Sequence, residues 1–372
     1  MKRILLPLAL LLVCSPLFAQ GRIDDVAALR TFTAKMLPRC PGGALTFEPI
    51  PQAGPTGFRV YAATLRSSDE YCGTQKYVLH SSKTGQVLIG TVIALADDNR
   101  PVATRISEKA TELLSKQMKA TVAPFPLPDG IKAVTMTRPT EFGPFAYHGF
   151  VDSSERFLIV GTRGTMQVDP AKAMIETLGV ANGVRRGNAK SKVEIIELSD
   201  FQCPTCARAH EKIEPIIQKN LSKVNYIRMD LPLFEHHEWA LSAALAGKAI
   251  QKVAPAKYWQ YVDTVFKSQE LITKQTFAKW LPNWLQDNDI NAAAVDKIYK
   301  SKAEQTAMLD QVSRAFDLGV NSTPTFIING QIMGFGPEGT FTIDSITNAL
   351  GIPSVTAAPK PAAKPKASSK KK

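Results

Sequence analysis

Two cysteines separated by two residues, Cys203 and Cys206, are the part of this sequence best suited to chemistry. Such a pair can close a small disulfide that is easily reduced. Pro204 follows the first cysteine, and proline fits the first turn of a helix because its missing N–H has no partner there. If Cys203 begins a helix, the dipole and the free N–H groups of that helix stabilise its thiolate. The motif therefore predicts a redox-active pair with a nucleophilic first sulfur.

The residues on either side predict the elements that would hold this pair. Residues 193–198 form a β-rich run before the motif, and residues 207–219 show a helical pattern after it. This strand–motif–helix order is much more specific than the cysteine spacing alone. Further on, the sequence predicts a strand at 224–229, helices between 237 and 318, a hairpin of 323–328 with 331–335 around the Asn329-Gly330 turn, and a last helix at 343–350.

Residues 20–178 have the pattern of a separate α+β region without a catalytic constellation. Residues 77–91 and 150–162 both resemble a hairpin that leads into a helix, which predicts two copies of one sheet-plus-helix unit. A chance likeness of two amphipathic hairpins is the alternative. We expect helices at 24–36, 107–119 and 169–178, and strands at 58–65, 77–80, 87–94, 133–137, 146–151 and 157–161.

The C-terminal half resembles the DsbA-like branch of the thioredoxin superfamily over roughly residues 190–350. The resemblance rests on several separated motifs and not on the CxxC alone. It implies an α/β thioredoxin fold with a helical insertion between the second and third core strands, preceded here by the α+β region. The matching residues are Phe201-Gln202-Cys203-Pro204-Thr205-Cys206, Pro232-Leu233, His237, Ala240, Ala243, Ala244, Trp259, Leu318-Gly319-Val320, Ser322-Thr323-Pro324-Thr325-Phe326 and Asn329-Gly330.

The resemblance implies a role for each residue of the site. Cys203 would be the exposed nucleophile and Cys206 the buried thiol that resolves the mixed disulfide. Pro324, preceded by Thr323, would be a cis-proline that faces the disulfide and offers backbone groups to an extended substrate. Glu197 would be a buried acid that shuttles the proton of Cys206. An ordinary carboxylate in a salt bridge is the alternative for Glu197.

The implied activity is thiol–disulfide exchange on protein cysteines, reset by a membrane redox partner and without a cofactor. Pro204-Thr205 lacks the histidine of the strongest oxidants in the family, and Thr323 is typical of isomerase-type relatives. These features favour an isomerase or reductase over an oxidase. Such relatives carry an N-terminal dimerisation domain, so a homodimer is one expectation. The alternative function is a protein-binding chaperone or adaptor in which the CxxC is secondary.

The two ends of the chain have compositions of their own. Residues 1–19 combine a basic start with a short apolar run, which is typical of an export signal and too short to span a bilayer. We therefore expect a periplasmic or otherwise extracytoplasmic protein. Lipidation at Cys14 is the alternative, although Val13 is large for the position before an acylated cysteine. Residues 354–372 form a Lys-, Pro- and Ala-rich tail that we expect to be disordered.

The net charge of +12 is concentrated at these ends. Residues 1–19 carry two of the positive charges and residues 354–372 carry six, which leaves +4 for the rest. That remainder does not point to a nucleic-acid partner. Residues 179–191 are rich in Gly, Ala, Asn and Arg, and predict a linker, or alternatively a domain edge, before a domain that spans 192–353.

The remaining cysteines and histidines predict structure more than chemistry. In an oxidising compartment, Cys40 and Cys72 should form a structural disulfide, with two unpaired buried thiols as the alternative. His210 should lie on the exposed face of the helix after the motif. Adjacent histidines such as His236 and His237 rarely bind one metal together, and no second CxxC completes a zinc site, so no metal is expected.

Overall fold

The computed structural model describes residues 26–51, 54–68, 72–335 and 339–353, which form two sheets with ten α-helices around them. The predicted export signal at 1–19 and the tail at 354–372 lie outside the described residues. Among the residues that the structure describes, none of the helices is both long and apolar enough to cross a bilayer. The predicted fold class is confirmed: an α+β region precedes a thioredoxin fold with a helical insertion.

The first sheet has eight strands and belongs to the α+β region. Each strand is antiparallel to its neighbours, and the order across the sheet is β1-β2-β3-β4-β8-β7-β6-β5. The strands are β1 Ala44–Pro49, β2 Arg59–Arg66, β3 Thr74–His80, β4 Gln86–Ala94, β5 Lys119–Val122, β6 Lys132–Thr140, β7 Gly143–Val151 and β8 Phe157–Thr165. Its helices are α1 Val26–Met36, α2 Val102–Leu114 and α3 Pro170–Leu178.

The two halves of this sheet meet at a pair of glycines. Gly90 of β4 pairs with Gly161 of β8 at the centre of a pairing of nine residues. A Cβ at Gly90 would lie 2.1 Å from the carbonyl oxygen of Val160, and one at Gly161 would lie 2.2 Å from that of Ile89, so only glycine fits there. Each half has four antiparallel strands followed by a helix, the arrangement that two repeated units would produce. A duplication of one unit stays a prediction.

Helix α2 begins and ends earlier than the sequence predicts. The pattern favours a helix at 107–119, but the chain leaves the helix at Ser115 in a left-handed conformation, with φ of 51°. It then turns back as the short edge strand β5, and the Ser107 hydroxyl accepts a hydrogen bond from the Ala120 N–H at 2.8 Å. Side-chain groups on the helix thus stabilise a reversal that periodicity alone does not reveal. Strands β1 and β5 were not predicted.

The second sheet has five strands in the order β13-β12-β10-β11-β9. Strands β10 and β11 are parallel, and the other pairings are antiparallel. Five helices between β11 and β12 form the predicted insertion. The strands are β9 Val184–Gly187, β10 Glu194–Ser199, β11 Asn225–Asp230, β12 Thr325–Ile328 and β13 Gln331–Met333. The helices are α4 Pro204–Lys219, α5 Ala240–Val253, α6 Tyr258–Lys267, α7 Lys274–Asp287, α8 Ala292–Tyr299, α9 Lys302–Asp317 and α10 Thr340–Leu350.

The prediction of a linker at 179–191 is wrong, because this segment contains strand β9 at the edge of the second sheet. Gly187 has φ of +85°, and a Cβ there would lie 2.3 Å from the carbonyl oxygen of Val224. Arg186 stacks 3.8 Å from the ring centre of Trp259 and forms an ion pair with Glu214, with its side chain only 9% exposed. The glycines and arginines therefore permit close packing and do not mark flexible chain.

Helix α9 joins the two sheets. Strand β7 pairs with β8 at only two residues near its end, so other backbone groups of β7 need partners. The Ser313 hydroxyl of α9 donates to the carbonyl oxygen of Ala146 at 2.7 Å, and the Asp317 carboxylate accepts from the His148 N–H at 3.1 Å. Side chains of the thioredoxin fold thus complete the hydrogen bonding of the first sheet and hold the two regions together.

Candidate active site

Cys203 lies where strand β10 passes into helix α4. It occupies the position before the first helical residue, Pro204, so it faces the unpaired N–H groups of the first turn. The Cys203 N–H donates to the carbonyl oxygen of Asp200 at 3.2 Å, which tightens the loop. Cys203 is 7% exposed and Cys206, one turn into the helix, is fully buried. Both thiols are free in this structure.

The pKa values of the two cysteine thiols are shifted in opposite directions. The Cys206 thiol, which donates a hydrogen bond to the Cys203 sulfur, lowers the pKa of Cys203 to about 5, with help from the N–H groups of Thr205 and Cys206. Burial raises the pKa of Cys206 well above its usual value, and the neighbouring Cys203 adds to this effect. At neutral pH the first sulfur is therefore a thiolate and the second a thiol, as a nucleophile and a resolving group require.

The loop before β12 faces Cys203. The peptide bond between Thr323 and Pro324 is cis, and the Cys203 thiol lies 3.4 Å from the carbonyl oxygen of Thr323. Pro324 is buried. The fold thus brings together residues that are 120 positions apart in the sequence. Four of the predicted site residues therefore lie next to one another: Cys203, Cys206, Thr323 and Pro324.

Glu197 lies below this group without contacting Cys206. Its side chain is 2% exposed on β10, and one carboxylate oxygen accepts a hydrogen bond from the Tyr226 hydroxyl. Among the described residues, no hydrogen-bond partner reaches its other oxygen. The groups that do act on the Cys206 sulfur are the Ser199 side chain and the Asp200 N–H, which is 3.4 Å away. A proton shuttle through Glu197 stays a prediction.

Asp200 organises the loop, and sequence reasoning missed it. The carboxylate is buried and accepts hydrogen bonds at 2.7 Å from the N–H groups of Gln202 and Leu233. The same carboxylate lies 2.7 Å from the His237 ring, and this contact raises the pKa of His237, with a smaller contribution from Cys203. No periodicity reveals an Asp at this position before the motif, because its partners Leu233 and His237 come from a distant segment.

Gln269 is a second residue that the sequence did not reveal. Its side-chain amide donates to the carbonyl oxygens of Phe201 at 2.8 Å and Cys203 at 3.1 Å. It belongs to the helical insertion, between α6 and α7. The insertion therefore holds the backbone of the nucleophile in place from the side opposite the sheet.

The prediction that His210 lies on an exposed helix face is wrong. Its side chain is mostly buried, 2.7 Å from Asp263, and its ring packs against Phe266. The insertion covers this face of α4, which the amphipathic pattern of the helix alone does not show. Among the residues that the structure describes, no three His, Cys, Asp or Glu side chains form a cluster suited to a metal ion.

Cys40 and Cys72 are joined by a disulfide in the first region, with their Cα atoms 5.8 Å apart. It lies against the end of β13, where a Cβ at Gly334 would be 2.0 Å from the Cys72 sulfur. The Arg39 N–H donates to the carbonyl oxygen of Ile332 at 2.8 Å, so backbone hydrogen bonds also attach this segment to the second sheet. The disulfide thus lies at the junction of the two regions.

A cleft of about 930 Å³ separates the first sheet from the active-site loops. The centre of the eight-stranded sheet forms one wall, and the start of α4 and the cis-proline loop form the other. The first wall includes Lys76, Ile89 and Val160, and the second includes Thr205, Arg208 and Pro324.

Comparisons with known proteins agree with this geometry. Residues 180–350 match the family model described as "Thioredoxin". The "Disulfide bond formation protein D" of Bacillus subtilis is 23% identical over 154 residues, which cover 40% of this chain and 68% of that protein. The "Na(+)/H(+) antiporter NhaA 3" of Salinispora tropica is 24% identical over 168 residues, or 44% of this chain. The match spans only 24% of that antiporter's length.

Two solved structures are also similar. The thiol-disulfide exchange protein alpha-DsbA2 of Wolbachia pipientis has a TM-score of 0.40 and 18% identity, and the match covers 48% of this chain and 95% of that one. BdbD of Bacillus subtilis has a TM-score of 0.39 and 17% identity, and the match covers 46% of this chain and 95% of BdbD. Residues 180–350 of this chain thus match the thioredoxin family model, and they place a CxxC at a helix start opposite a cis-proline.

Proposed function

We propose that the protein is a thiol–disulfide oxidoreductase that acts on protein cysteines through Cys203 and Cys206. The observation that carries this proposal is the Cys203 sulfur, which has a pKa of about 5 and lies 3.4 Å from the carbonyl oxygen before the cis-proline. A reactive thiolate beside a buried thiol has the two sulfurs that disulfide exchange needs. Substrate backbone would bind along the Thr323–Pro324 loop.

In the oxidising direction, a substrate thiolate attacks the Cys203 sulfur of the Cys203–Cys206 disulfide. A substrate–Cys203 disulfide forms, and the Cys206 sulfur leaves and takes up a proton, because burial favours its neutral form. A second substrate thiolate then attacks the substrate sulfur of this mixed disulfide. Cys203 leaves as a stable thiolate, so the substrate gains a disulfide and the enzyme is reduced.

The direction of exchange has two candidates. The low pKa of Cys203 stabilises the reduced enzyme and so supports net oxidation of substrates. Pro204-Thr205 and Thr323 support the isomerase or reductase role that the sequence favours. We propose oxidation, and the reduction potential of the Cys203–Cys206 pair tests it: a value near about −120 mV supports an oxidase, and one near about −270 mV a reductase.

We further propose that the chain is exported through residues 1–19 and that a membrane redox partner resets the active site. A disulfide between Cys40 and Cys72 supports an oxidising compartment. Replacement of the leader by a cytoplasmic tag should leave the protein in the cytoplasm with Cys40 and Cys72 reduced, as thiol labelling would show. Labelling that finds this disulfide equally formed in the cytoplasm would contradict the export proposal.

A Cys203→Ala variant tests the activity itself. Oxidation of a reduced two-cysteine substrate should be lost, because no mixed disulfide can form. The matched Cys206→Ala variant keeps the nucleophile and should accumulate a covalent complex with substrate, visible on a non-reducing gel. If the protein is instead a chaperone or adaptor, both variants keep full suppression of aggregation of a cysteine-free client, and neither changes a cellular phenotype.

A further inference from the structure

The described lining of the cleft beside the candidate active site carries more positive than negative charge. Of the described residues that line it, three are charged: Lys76, Arg208 and Asp317. The Asp317 carboxylate is occupied, since it accepts from the backbone N–H of His148 and lies 2.8 Å from the His148 ring. The contact with Asp317 raises the pKa of His148. Lys76 and Arg208 are therefore the two charged side chains of this lining that a bound group could pair with.

Neither of these cations has an acidic partner in the described part of the chain. Arg208 donates to the Thr205 hydroxyl at 3.0 Å, which is a neutral group. Lys76 is half-buried on β3, and within the described ranges its ammonium group forms no ion pair or hydrogen bond. Both side chains are therefore available to pair with an anionic group that enters the cleft. An anionic occupant would supply the missing partner.

The two cations lie on opposite walls of the cleft. Lys76 comes from the sheet of the first region, and Arg208 comes from α4, two residues after Cys206. The wall behind Lys76 is built around the Gly90–Gly161 pair, where two backbones are too close for any side chain, so it is not easily reshaped. The opposite wall includes Thr205 and Pro324, which flank the nucleophile and the cis-proline bond.

We propose that this cleft selects acidic, cysteine-containing segments of substrate proteins, with Lys76 and Arg208 as specificity determinants. The inference rests on the proposed oxidoreductase function and adds the substrate class. Volume and lining suit a polypeptide segment, because the cleft mixes apolar positions such as Ile89 and Val160 with polar groups. Carboxylates of the segment would pair with the two cations from both sides.

The same charges favour the chemistry of such a substrate. Carboxylates next to a cysteine raise the pKa of its thiol, because they disfavour a second negative charge. Bound cations offset this effect and restore the thiolate, which is the species that attacks Cys203. Acidic segments would thus bind with higher affinity, and a larger fraction of their cysteine would be the reactive thiolate.

The test is a single-turnover reaction of the oxidised full chain with short synthetic dithiol peptides of equal length. Their cysteines are flanked by Asp and Glu, by Lys, or by neutral residues, and tryptic mass spectrometry measures the loss of the Cys203–Cys206 disulfide. We expect the acidic peptide to be oxidised about tenfold faster than the basic one at low ionic strength. This preference should shrink as salt is added.

Charge-reversal variants assign the preference to the cleft. Lys76→Glu and Arg208→Glu should each reduce the acidic-to-basic ratio by about threefold, and together they should invert it. Lys119→Glu is the matched control: it makes the same charge change at an exposed position on edge strand β5, which does not line the cleft, and should leave the ratio unchanged. Lys76→Met removes the charge without adding one, for use if Lys76→Glu fails to fold by circular dichroism.

The outcomes separate this inference from the function on which it rests. If the neutral peptide is oxidised but the acidic and basic peptides react at equal rates, the cleft is not selective and the inference is overturned while the activity stands. A ratio that Lys119→Glu changes as much as Lys76→Glu would likewise overturn it, because net charge alone would explain the preference. If none of the three peptides is oxidised, both the activity and the inference fail.

Discussion

The acidity of Cys203 is set by a few neighbouring donors. The largest effect comes from the Cys206 thiol, and N–H groups at the start of α4 add to it. Cys206 keeps its proton because it is buried, and its thiol therefore stabilises the thiolate of Cys203. The reactivity of the pair is therefore a property of both sulfurs together.

The rate of alkylation of Cys203 in the reduced protein should rise with pH around a midpoint of about 5 and be flat near neutrality. A Cys206→Ala variant should shift this midpoint upward, because it removes the strongest donor to the thiolate. Cys206→Ser, whose hydroxyl can still donate, should shift it less. Stopped-flow measurement with iodoacetamide gives all three profiles, and a wild-type midpoint near about 8.5, as in simple peptides, would contradict the site.

The same pKa difference makes the reduced protein sensitive to pH. Because the folded pKa of Cys203 lies below the unfolded value of about 8.5, the thiolate contributes stability above pH 8.5 that is lost as the pH falls towards 5. Reduced protein should therefore lose stability relative to oxidised protein over that range. Urea unfolding of both forms at pH 8 and pH 5 measures the change.

An Asp200→Asn variant should lower the pKa of His237 towards its ordinary value, because the contact with the carboxylate is what raises it. It should also raise the pKa of Cys203, because the charge of Cys203 contributes to the raised pKa of His237, and a His237 ring that binds its proton less tightly stabilises the thiolate less. NMR titration of His237 and the alkylation profile of Cys203 measure the two effects.

Asp317→Asn is the matched control for that change. It removes the carboxylate beside His148 and should lower the pKa of His148 in the same way. Cys203 should keep its alkylation profile, because Asp317 is not among the groups that shift its pKa. An Asp200→Asn variant with an unchanged Cys203 profile would show that Asp200 supports only the fold.

At the scale of elements, strand β9 shows why composition misled the sequence analysis. Glycine and arginine are common in linkers, yet Gly187 permits a close approach of β9 to Val224, and Arg186 stacks on Trp259. The edge of the second sheet depends on these contacts. They place β9 beside β11, which is itself parallel to the strand that leads to Cys203.

A Gly187→Ala variant should lower the free energy of unfolding by at least about 2 kcal/mol, because its Cβ would collide with the Val224 carbonyl oxygen in addition to the strain of a positive φ. Gly319→Ala is the control: Gly319 has φ of +76° with no atom within 4 Å of a Cβ, so only the backbone strain of about 1 kcal/mol remains. Urea unfolding compares them. Equal losses would mean that β9 does not pack as described.

At the scale of the whole molecule, two regions act as one unit around a cleft. Helix α9 supplies hydrogen bonds to β7, and the segment that carries the Cys40–Cys72 disulfide is hydrogen-bonded to β13. The first sheet is therefore a fixed wall beside the active site. Under the proposed function, this arrangement would let the first region influence which substrates reach Cys203.

A Cys40→Ser/Cys72→Ser double variant should lose about 3.7 kcal/mol of stability, as the chain-entropy account predicts for a disulfide between residues 32 positions apart. Its Cys203 alkylation profile should stay unchanged, because neither residue contributes to the pKa of Cys203. Thermal unfolding and alkylation measure the two properties. A shifted alkylation profile would mean that the disulfide couples directly to the active site.

The sequence by itself pointed to Cys203 and Cys206 as a redox pair, because a CxxC stands between a predicted strand and a predicted helix. The thioredoxin fold and its helical insertion were expected from the resemblance of several separated motifs, and the individual helices from apolar periodicity. Most element positions were predicted within a few residues for the same reason. Where the signal was composition alone, as at 179–191, the prediction was wrong.

Only the tertiary structure decided what surrounds the two sulfurs. Asp200, His237 and Gln269 come from three segments, and their hydrogen bonds to one loop depend on how the insertion folds over α4. The fold likewise placed Lys76 opposite Arg208 across the cleft. Pairing between distant residues leaves no spacing or periodicity in one sequence, because it is set by the packing of whole elements.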